Sequence, residues 1–531
     1  MHQASIGAAR LFGCRLRAKN GGFKKVEERL EIENSERSAG ATWRQRSHGR
    51  RAGPRRRCSG ARRCSGHREG DQDAEKRGRV VLVAVLFSPG TASPVAACAQ
   101  RQDAPLSSEL SKVGNGVSAL RRWVGSSVLF AAVALGLAGC EQETPVSVVI
   151  VPPPAGVDDL NGFLEDVRAR HDLPGLAAAV FDANRLLAVG AAGTRKVGSG
   201  VPLLYTDRLS IASITKTMTA TLVAQLIERG DLAWDTTISE LYPEFGAGIQ
   251  PAFREVTIEQ LLRHEGGLPR WMRNDDVVKM WVREHRTLTN AERRYAAVQH
   301  ILAQPPASPP GSRYEYTNDA YLILGNICER IAGRSYEELL QEDLFTALDM
   351  TSFGFQEPWS DRSLNQPWGH VRRRGRFVPY EPDPSGYGGV HFGTPYGAGV
   401  NLSVVDLARY GRFHLRGDLG RETGLSAESF RKLHHAPARS IPSATEVPAA
   451  GFFNEGRVDG DGRWLNVQHW GYYARGRTLL WFSPQANVGA VVLTNGTDDD
   501  EVKGMQPISE TVIALLQRYR TPPTHHPAPA D

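Results

Sequence analysis

Ser213 and Lys216 stand three residues apart in "ASITKTMTA" (Ala212–Ala220). A serine hydroxyl is a weak nucleophile and needs an adjacent base. A lysine serves as that base only if burial or a nearby cation lowers its pKa from about 10.4. Spacing alone does not decide the matter, because S-x-x-K arises by chance about once or twice in a chain this long. A second example, Ser429 and Lys432 in "ESFRKLHH", is flanked by Glu428, Arg431 and two histidines and reads as a solvated helix face. Ser213 instead opens a run with Ile214, Met218, Leu222 and Leu226 at helical spacing, stopped at Gly230. It therefore falls near a helix N-terminus, where free N–H groups favour a developing negative charge. "SITKTMTATLVAQL" lacks the carboxylates that would hold Lys216 charged. For Ser213 by itself, nucleophile and helix N-cap are equal readings.

Two further groups could act with this pair. In "YEYTND", Tyr316 and Asn318 precede a helix striped by Tyr321, Leu324, Cys328 and Ile331 and closed at Gly333. Asn318 or Asp319 is the expected cap, and a phenol on such a loop can shuttle a proton. The alternative is a turn with an Asn cap. The third group is H-x-G, which occurs at His264, His391 and His469. "HEGG" follows "TIEQLLR" as a helix-ending turn, and "HFG" lies in a Gly-rich loop. Only "HWGYYARGRTLLWFSP" runs straight into a strand pair, where Gly471 would let a substrate backbone lie along the strand edge.

The elements that must position these residues have a readable order. "VDDLNGFLEDVRARHDL" has helical spacing, and "GLAAAVFD" and "RLLAVGAAG" form a hairpin about "ANR". Near the other end, "RTLLWFSP" and "NVGAVVLTNG" pair around "PQAN", and "SETVIALLQRY" closes the domain as a helix. Strands at both ends with helical sequence between them imply one antiparallel sheet built from both termini, flanked by helices, plus a mostly helical lobe. The fold class expected is α/β in the α+β sense.

The pI near 9.0 does not point to nucleic acid. Residues 1–117 carry 23 Lys+Arg against 11 Asp+Glu, a net of +12; the chain carries +6, so residues 118–531 sum to −6. The basic excess sits in a segment with clustered Arg, Gly and Ser and no sustained apolar period, which reads as disordered. A basic nucleic-acid arm is the lesser reading. In "LRRWVGSSVLFAAVALGLAGCEQE", two arginines precede an apolar run and "LAGC", the layout of a secretory signal peptide. The run is short for a spanning helix, which needs about 20 residues; a short membrane anchor is the alternative. "LAGC" resembles the lipobox of bacterial lipoproteins, with Cys140 lipidated. No Met lies between Met1 and Met218, so a non-Met start near Val113 or Val117 is expected, with the preceding residues a mis-assigned extension. "GRVVLVAVLFSPGTASPVAACAQ" is a weaker export signal. The expected division is 1–116 extension, 117–140 signal, 141–156 linker, 157–518 catalytic domain and 519–531 Pro-rich tail.

Past Cys140 only Cys328 remains, so the exported part has no two thiols to pair. The histidines lack metal-ligand spacing; His434-His435 and His525-His526 read as surface or tail residues. No metal and no cofactor are expected.

Taken in order, Ser213–Lys216, Tyr316–Asn318 and His469–Gly471 resemble the S-x-x-K, Y-x-N and K/H/W-x-G motifs of the serine beta-lactamase and penicillin-binding-protein superfamily, in its branch of class C beta-lactamases, DD-peptidases and related esterases. "TIEQLLRHEGGLP" is similar to that family's "LLxHTSGLP" stretch, and "GAGVNLSVVDLARY" to its "AGGLxSTxxDLARF" segment. The resemblance covers roughly residues 155–515. It implies a beta-lactamase/transpeptidase-like fold and a serine hydrolase working through an acyl-enzyme. Ser213 would be the nucleophile, Lys216 and Tyr316 the proton carriers, and Asn318 a substrate and lysine contact. The N–H groups of Ser213 and Tyr472 would form the oxyanion hole. Beta-lactamases of this branch usually carry Lys where His469 stands, so an ester or D-amino-acid peptide is the expected substrate and a beta-lactam the alternative. A lipid-anchored cell-wall peptide-binding protein without activity is the reading from another class. The expected place is the bacterial cell envelope, with a membrane anchor on Cys140, a small-molecule or peptide substrate, and no nucleic acid.

Overall fold

"GLAAAVF" is apolar at every position, and a strand with that pattern must be covered on both faces. The computed structural model describes residues 148–381, 391–397, 399–436, 446–458, 464–473, 475–498 and 500–520. In it this run is a strand whose seven residues are all buried. Eight strands form one sheet: β1 (Asp158–Asp159), β2 (Gly175–Phe181), β3 (Leu186–Gly193), β4 (Glu446–Pro448), β5 (Phe453–Val458), β6 (Trp464–Tyr473), β7 (Gly476–Ser483) and β8 (Val488–Thr494). Their order is β1-β3-β2-β8-β7-β6-β5-β4. All pairings are antiparallel except β1 with β3. β2 pairs with β8, with Val180 opposite Ala490, so the sheet is joined from the two ends of the domain.

Alternation along β2 divides the core. Ala177, Ala179 and Phe181 enter a large cluster, while Leu176, Ala178 and Val180 enter a smaller one. The smaller is closed by α1 (Asn161–Arg170) and the C-terminal helix Glu501–Tyr519. That helix begins eight residues before the predicted Ser509, capped by Asp500, whose carboxylate accepts from the Val502 and Lys503 amides. The larger cluster joins α5 (Val404–Asp418), which packs on β2, β7 and β8, to the helical lobe of α2 (Thr215–Glu228), α3 (Asn290–Ala303) and α4 (Asn318–Ala332). α6 (Ala427–His434) follows α5, and the C-terminal helix is α7.

α2 departs from the one-sided stripe expected of it. Thr215, Lys216, Thr217, Thr219 and Thr221 are as buried as Met218 and Leu222. A helix buried all round must satisfy its polar atoms internally. Thr215 donates to the Ala212 carbonyl, Thr217 to Ile214, Thr219 to Pro395 and Thr221 to Thr217. Ahead of α2, Leu209–Ser210 pairs with Asn401–Leu402, which also pairs with Phe353–Gly354. This small sheet anchors the chain just before Ser213.

Among the described residues, no helix is long and apolar enough to cross a membrane. The 1–116 extension, the 117–140 signal with Cys140, and residues 521–531 with His525-His526 lie outside the described residues.

Candidate active site

Ser213 sits on a single 3₁₀ turn, Ala212–Ile214, that leads into α2. Ala212 has φ of +45°, a left-handed conformation that a β-carbon disfavours by roughly 1–2 kcal/mol. Strain of this kind persists where surrounding contacts fix it. The Ser213 side chain caps neither the 3₁₀ turn nor α2, so the N-cap reading falls away. Two glycines let other segments reach this turn. A Cβ on Gly471 would lie 2.4 Å from the Ile211 carbonyl oxygen, and one on Gly397, at φ +125°, would lie 2.6 Å from that of Ala212. Gly471 therefore makes room first for the nucleophile turn itself, not for a substrate backbone alone as its position on a strand suggested. The Thr478 hydroxyl, on β7, donates to the Ser210 carbonyl at 2.9 Å.

Lys216 is fully buried one helical turn along. Its Nζ lies 3.2 Å from Ser213 Oγ and 2.5 Å from the Tyr396 carbonyl oxygen. It also faces the rings of Tyr316 at 4.9 Å, Tyr396 at 5.7 Å and Tyr321 at 5.8 Å. Burial drives its pKa well below the ordinary lysine range. The Tyr396 carbonyl is itself held. Thr219 donates to the neighbouring Pro395 carbonyl, and Thr394 Oγ1 donates to Glu337. Glu337 and Glu329 both bind the buried Arg294, at 2.7 and 2.6 Å. A desolvated ion cluster of this sort fixes geometry more surely than it adds stability.

Burial raises the Tyr316 phenol above the usual value, and the nearby Ser213 hydroxyl offsets part of the rise. Thr317, extended at φ −145° and ψ 142°, puts the side chains of Tyr316 and Asn318 on the same side of the chain. Thr317, rather than Asn318 or Asp319, caps α4: its Oγ1 accepts from the Asp319 amide. Asn318, half-buried, is thereby the first helical residue. Asp319 turns inward and accepts from the Trp271 and Met272 amides, and burial raises its pKa to about 6.

His469 is 1% exposed on β6, 5.3 Å from the ring of Phe453. Burial, then the neighbouring Lys216, lowers its pKa to about 3, so it is neutral at ordinary pH. Pairing of β5 with β6 reaches Gln468 and goes no further among the described residues, leaving His469–Tyr473 bonded to β7 alone. This open edge runs past the nucleophile turn. Tyr472 alternates to the other face, 42% exposed, with the Arg477 guanidinium 4.1 Å above its ring. Its side chain is thus not at the site; its backbone is. Trp470 packs against the smaller core.

Some participants were not expected. The "HEGG" turn does end the helix Ile258–Leu262, with His264 at φ +57°. But the His264 ring also lies 4.5 Å from that of Tyr316, and its Nδ1 accepts from the Thr317 amide. The fixed acceptor places the ring proton on Nε2. Burial, then Lys216 and His469, keeps this imidazole neutral. The Tyr396 carbonyl and Gly397 lie in the loop that includes "HFG"; its clustered glycines were the available signal.

Ser429 and Lys432 take no part. Ser429 is buried, not solvated, and donates to Glu228 at 2.6 Å, while Lys432 pairs with Glu259 at 2.9 Å. Packing of α6 against α2 covers what its charged sequence suggested was open. His434, read as a surface residue, is fully buried among His414 of α5, Phe452 and Phe482 of β7.

A family model for Beta-lactamase matches residues 160–510. The chain belongs to the Beta-lactamase family. It is 28% identical over 279 residues to "Penicillin-binding protein 4" of Amycolatopsis lactamdurans, covering 51% of this chain and 66% of that one. It is 23% identical over 363 residues to "Protein flp" of Staphylococcus aureus strain N315, covering 67% and 66%. The matches thus span just under two thirds of these relatives' length. Among solved structures, the octameric penicillin-binding protein homologue from Pyrococcus abyssi superposes with TM-score 0.53 at 22% identity, over 67% of this chain and 76% of that one. A class C beta-lactamase gives 0.52 at 18% identity, over 68% and 95%. The D-amino acid amidase from Ochrobactrum anthropi gives 0.51 at 18% identity, over 68% and 98%. These likenesses establish the beta-lactamase/transpeptidase-like fold, and the family is one of serine hydrolases.

Proposed function

We propose that this family member hydrolyses an ester, or an amide of a D-amino-acid peptide, through an acyl-enzyme on Ser213. The observation that carries the reading is the buried Lys216 Nζ at 3.2 Å from Ser213 Oγ, facing a carbonyl and aromatic rings. A lysine there is held ready in its neutral form, the form that accepts a proton. Ser213 Oγ attacks the substrate carbonyl carbon while its proton passes to Lys216. The N–H groups of Ser213 and Tyr472 receive the oxyanion, a contribution of about 3 kcal/mol per donor. The proton then moves through Lys216 and Tyr316 to the departing alkoxide or amine. Water, deprotonated by the same groups, attacks the acyl carbon and releases Ser213. Asn318 meets the substrate's amide or ester, the Tyr396 carbonyl rather than Asn318 holds Lys216, and the open edge at Gly471 lies beside the substrate backbone.

The neutral His469 supports the substrate class. With an imidazole of pKa about 3 there is no fixed charge at that position to meet a substrate carboxylate. Esters, and peptide amides without a free carboxylate at that end, lose nothing by this, whereas a carboxylate-bearing beta-lactam does, and a peptide ending in free D-Ala loses the same contact. An idle peptide-binding protein would have no use for a buried lysine without a counter-charge. The signal-like segment ending at Cys140 supports a lipid-anchored protein of the bacterial cell envelope.

A panel of p-nitrophenyl esters, nitrocefin and D-Ala-D-Ala peptides, on protein beginning after Cys140, tests the reading. Turnover of esters or D-peptides that Ser213→Ala abolishes is the expected result. Turnover that survives Ser213→Ala, or nitrocefin as the best substrate, overturns it.

A further inference from the structure

Behind α2, away from the nucleophile, lies a line of imidazoles that the reaction above does not use. His414 on α5 and His434 on α6 are both fully buried. His414 Nδ1 is 2.8 Å from His434 Nε2. His434 Nδ1 is 3.2 Å from Asp418 Oδ1, and His435 Nε2 reaches the same oxygen at 2.9 Å. At the inner end, His414 Nε2 is 3.3 Å from Thr221 Oγ1 on α2. The rings of Phe413, Phe430, Phe452 and Phe482 wall the line. The nitrogens face one another in series rather than converging, and no group of three metal-ligating side chains among the described residues is placed to hold an ion.

A series of this kind carries its proton arrangement from end to end. Asp418 is held well below the usual carboxylate range by its histidine neighbours, and burial keeps His414 and His434 neutral. An ionised Asp418 carries lone pairs only, so His434 Nδ1, 3.2 Å away in an ion contact rather than an aligned hydrogen bond, turns a proton and not a lone pair toward it. Its bare Nε2 then accepts from His414 Nδ1–H, and His414 Nε2 is left as an acceptor. That bare nitrogen competes for the single proton of Thr221 with the Thr217 carbonyl at 2.9 Å and the Tyr410 hydroxyl at 3.1 Å. A Thr back-bond to the carbonyl four residues earlier bends a helix, and Thr217 follows Lys216 directly. The same turn is tied by Tyr410, which donates to Thr217 Oγ1 at 2.9 Å, and by Thr217, which donates to the Ile214 carbonyl at 2.7 Å.

We propose that Asp418, His434 and His414 are positioning residues for the nucleophile helix: the carboxylate sets the imidazole tautomers, and the tautomers set which acceptor Thr221 uses and so how the turn bearing Lys216 is held. The proposal rests on Ser213–Lys216 being the reacting pair, as argued above.

Asp418→Asn preserves shape but can donate, which reverses every proton in the line. Imidazole nitrogen NMR on ¹⁵N-histidine protein should find His414 and His434 with the proton on Nδ1, and on Nε2 in Asp418→Asn. The ¹³C shift of the Thr217 carbonyl should move with them; this readout needs no turnover, so it stands even if the proposed activity fails. Acylation of Ser213 by a fluorophosphonate probe should slow about three- to tenfold in Asp418→Asn, with the probe's half-saturating concentration within twofold. Thr221→Val should slow it equally, and adding Asp418→Asn to Thr221→Val should do nothing further. Wild-type imidazoles protonated on Nε2, additive effects, or swapped tautomers with an unchanged Thr217 shift and an unchanged acylation rate would each overturn the proposal. Should Asp418→Asn not fold, the wild-type tautomers and the Thr221→Val rate decide it. A wild type that the probe does not label at Ser213 counts against the proposed reaction, not against the tautomer coupling.

Discussion

Lys216 Nζ stands between two oxygens, Ser213 Oγ at 3.2 Å and the Tyr396 carbonyl at 2.5 Å. The first is where a proton leaves and the second is where the amine is anchored. Replacing Lys216 by Ala should therefore cost about 10²–10⁴ in acylation rate, the range for losing a positioned base. Burst kinetics with a p-nitrophenyl ester measure it. A loss under tenfold would move the base elsewhere.

The active form of Lys216 is the neutral one, and burial lowers its pKa well below the ordinary value. kcat/KM should rise with pH on a limb whose midpoint lies below the normal lysine range near 10.4. A limb at an unperturbed lysine pKa would contradict the buried geometry.

His469 predicts acid sensitivity. Its folded pKa is about 3 against about 6.5 when unfolded. Between these values the unfolded chain binds more protons, so stability falls as pH drops below 6.5. By linkage the loss is about 2 kcal/mol at pH 5. Urea midpoints at pH 7 and pH 5 should show a smaller difference in His469→Gln than in wild type.

Gly471 bears on Ile211 through absent atoms. Gly471→Ala would force a carbon to 2.4 Å from a backbone oxygen. The expected result is a destabilisation of about 1–3 kcal/mol and more than a tenfold fall in kcat, because the turn that must shift carries Ser213. Chemical unfolding and ester turnover read the two effects. A variant with native rates would show that the turn has room to move.

Ser429 offers the contrasting case. Ser429→Ala removes the bond to Glu228 and should cost about 1–3 kcal/mol of stability, with ester turnover within twofold of wild type. A large loss of activity would return the second Ser-Lys pair to consideration.

Much of the site could be read from local pattern, since Ser213–Lys216, Tyr316–Asn318 and His469–Gly471 each sit beside a helix start or strand with its own periodicity. What stayed hidden depends on contacts across long sequence distances. His264 meets Tyr316, and Lys216 meets the Tyr396 carbonyl, only because α4 and the His391–Tyr396 turn fold against α2. A backbone carbonyl has no residue signature at all. The charged spacing of α6 suggested a wet surface, yet Ser429 and His434 are buried by a neighbour more than two hundred residues back, or by β7 ahead. α7 was foreshortened because Pro507 lies inside it; its apolar stripe was visible only beyond that residue.

The pairing of β2 with β8 has a consequence for how this molecule comes into being. The first long strand has its permanent neighbour some three hundred residues downstream, with Val180 waiting for Ala490. As the chain emerges, α2 and its reactive pair are made long before the layer that covers them. Contacts so distant in sequence form slowly, because loop-closure entropy is lost before they reward it. The nascent chain thus carries Ser213, Lys216 and Tyr316 with no assembled centre, and the site is completed only when the last strands bring His469 and the Tyr472 backbone to it.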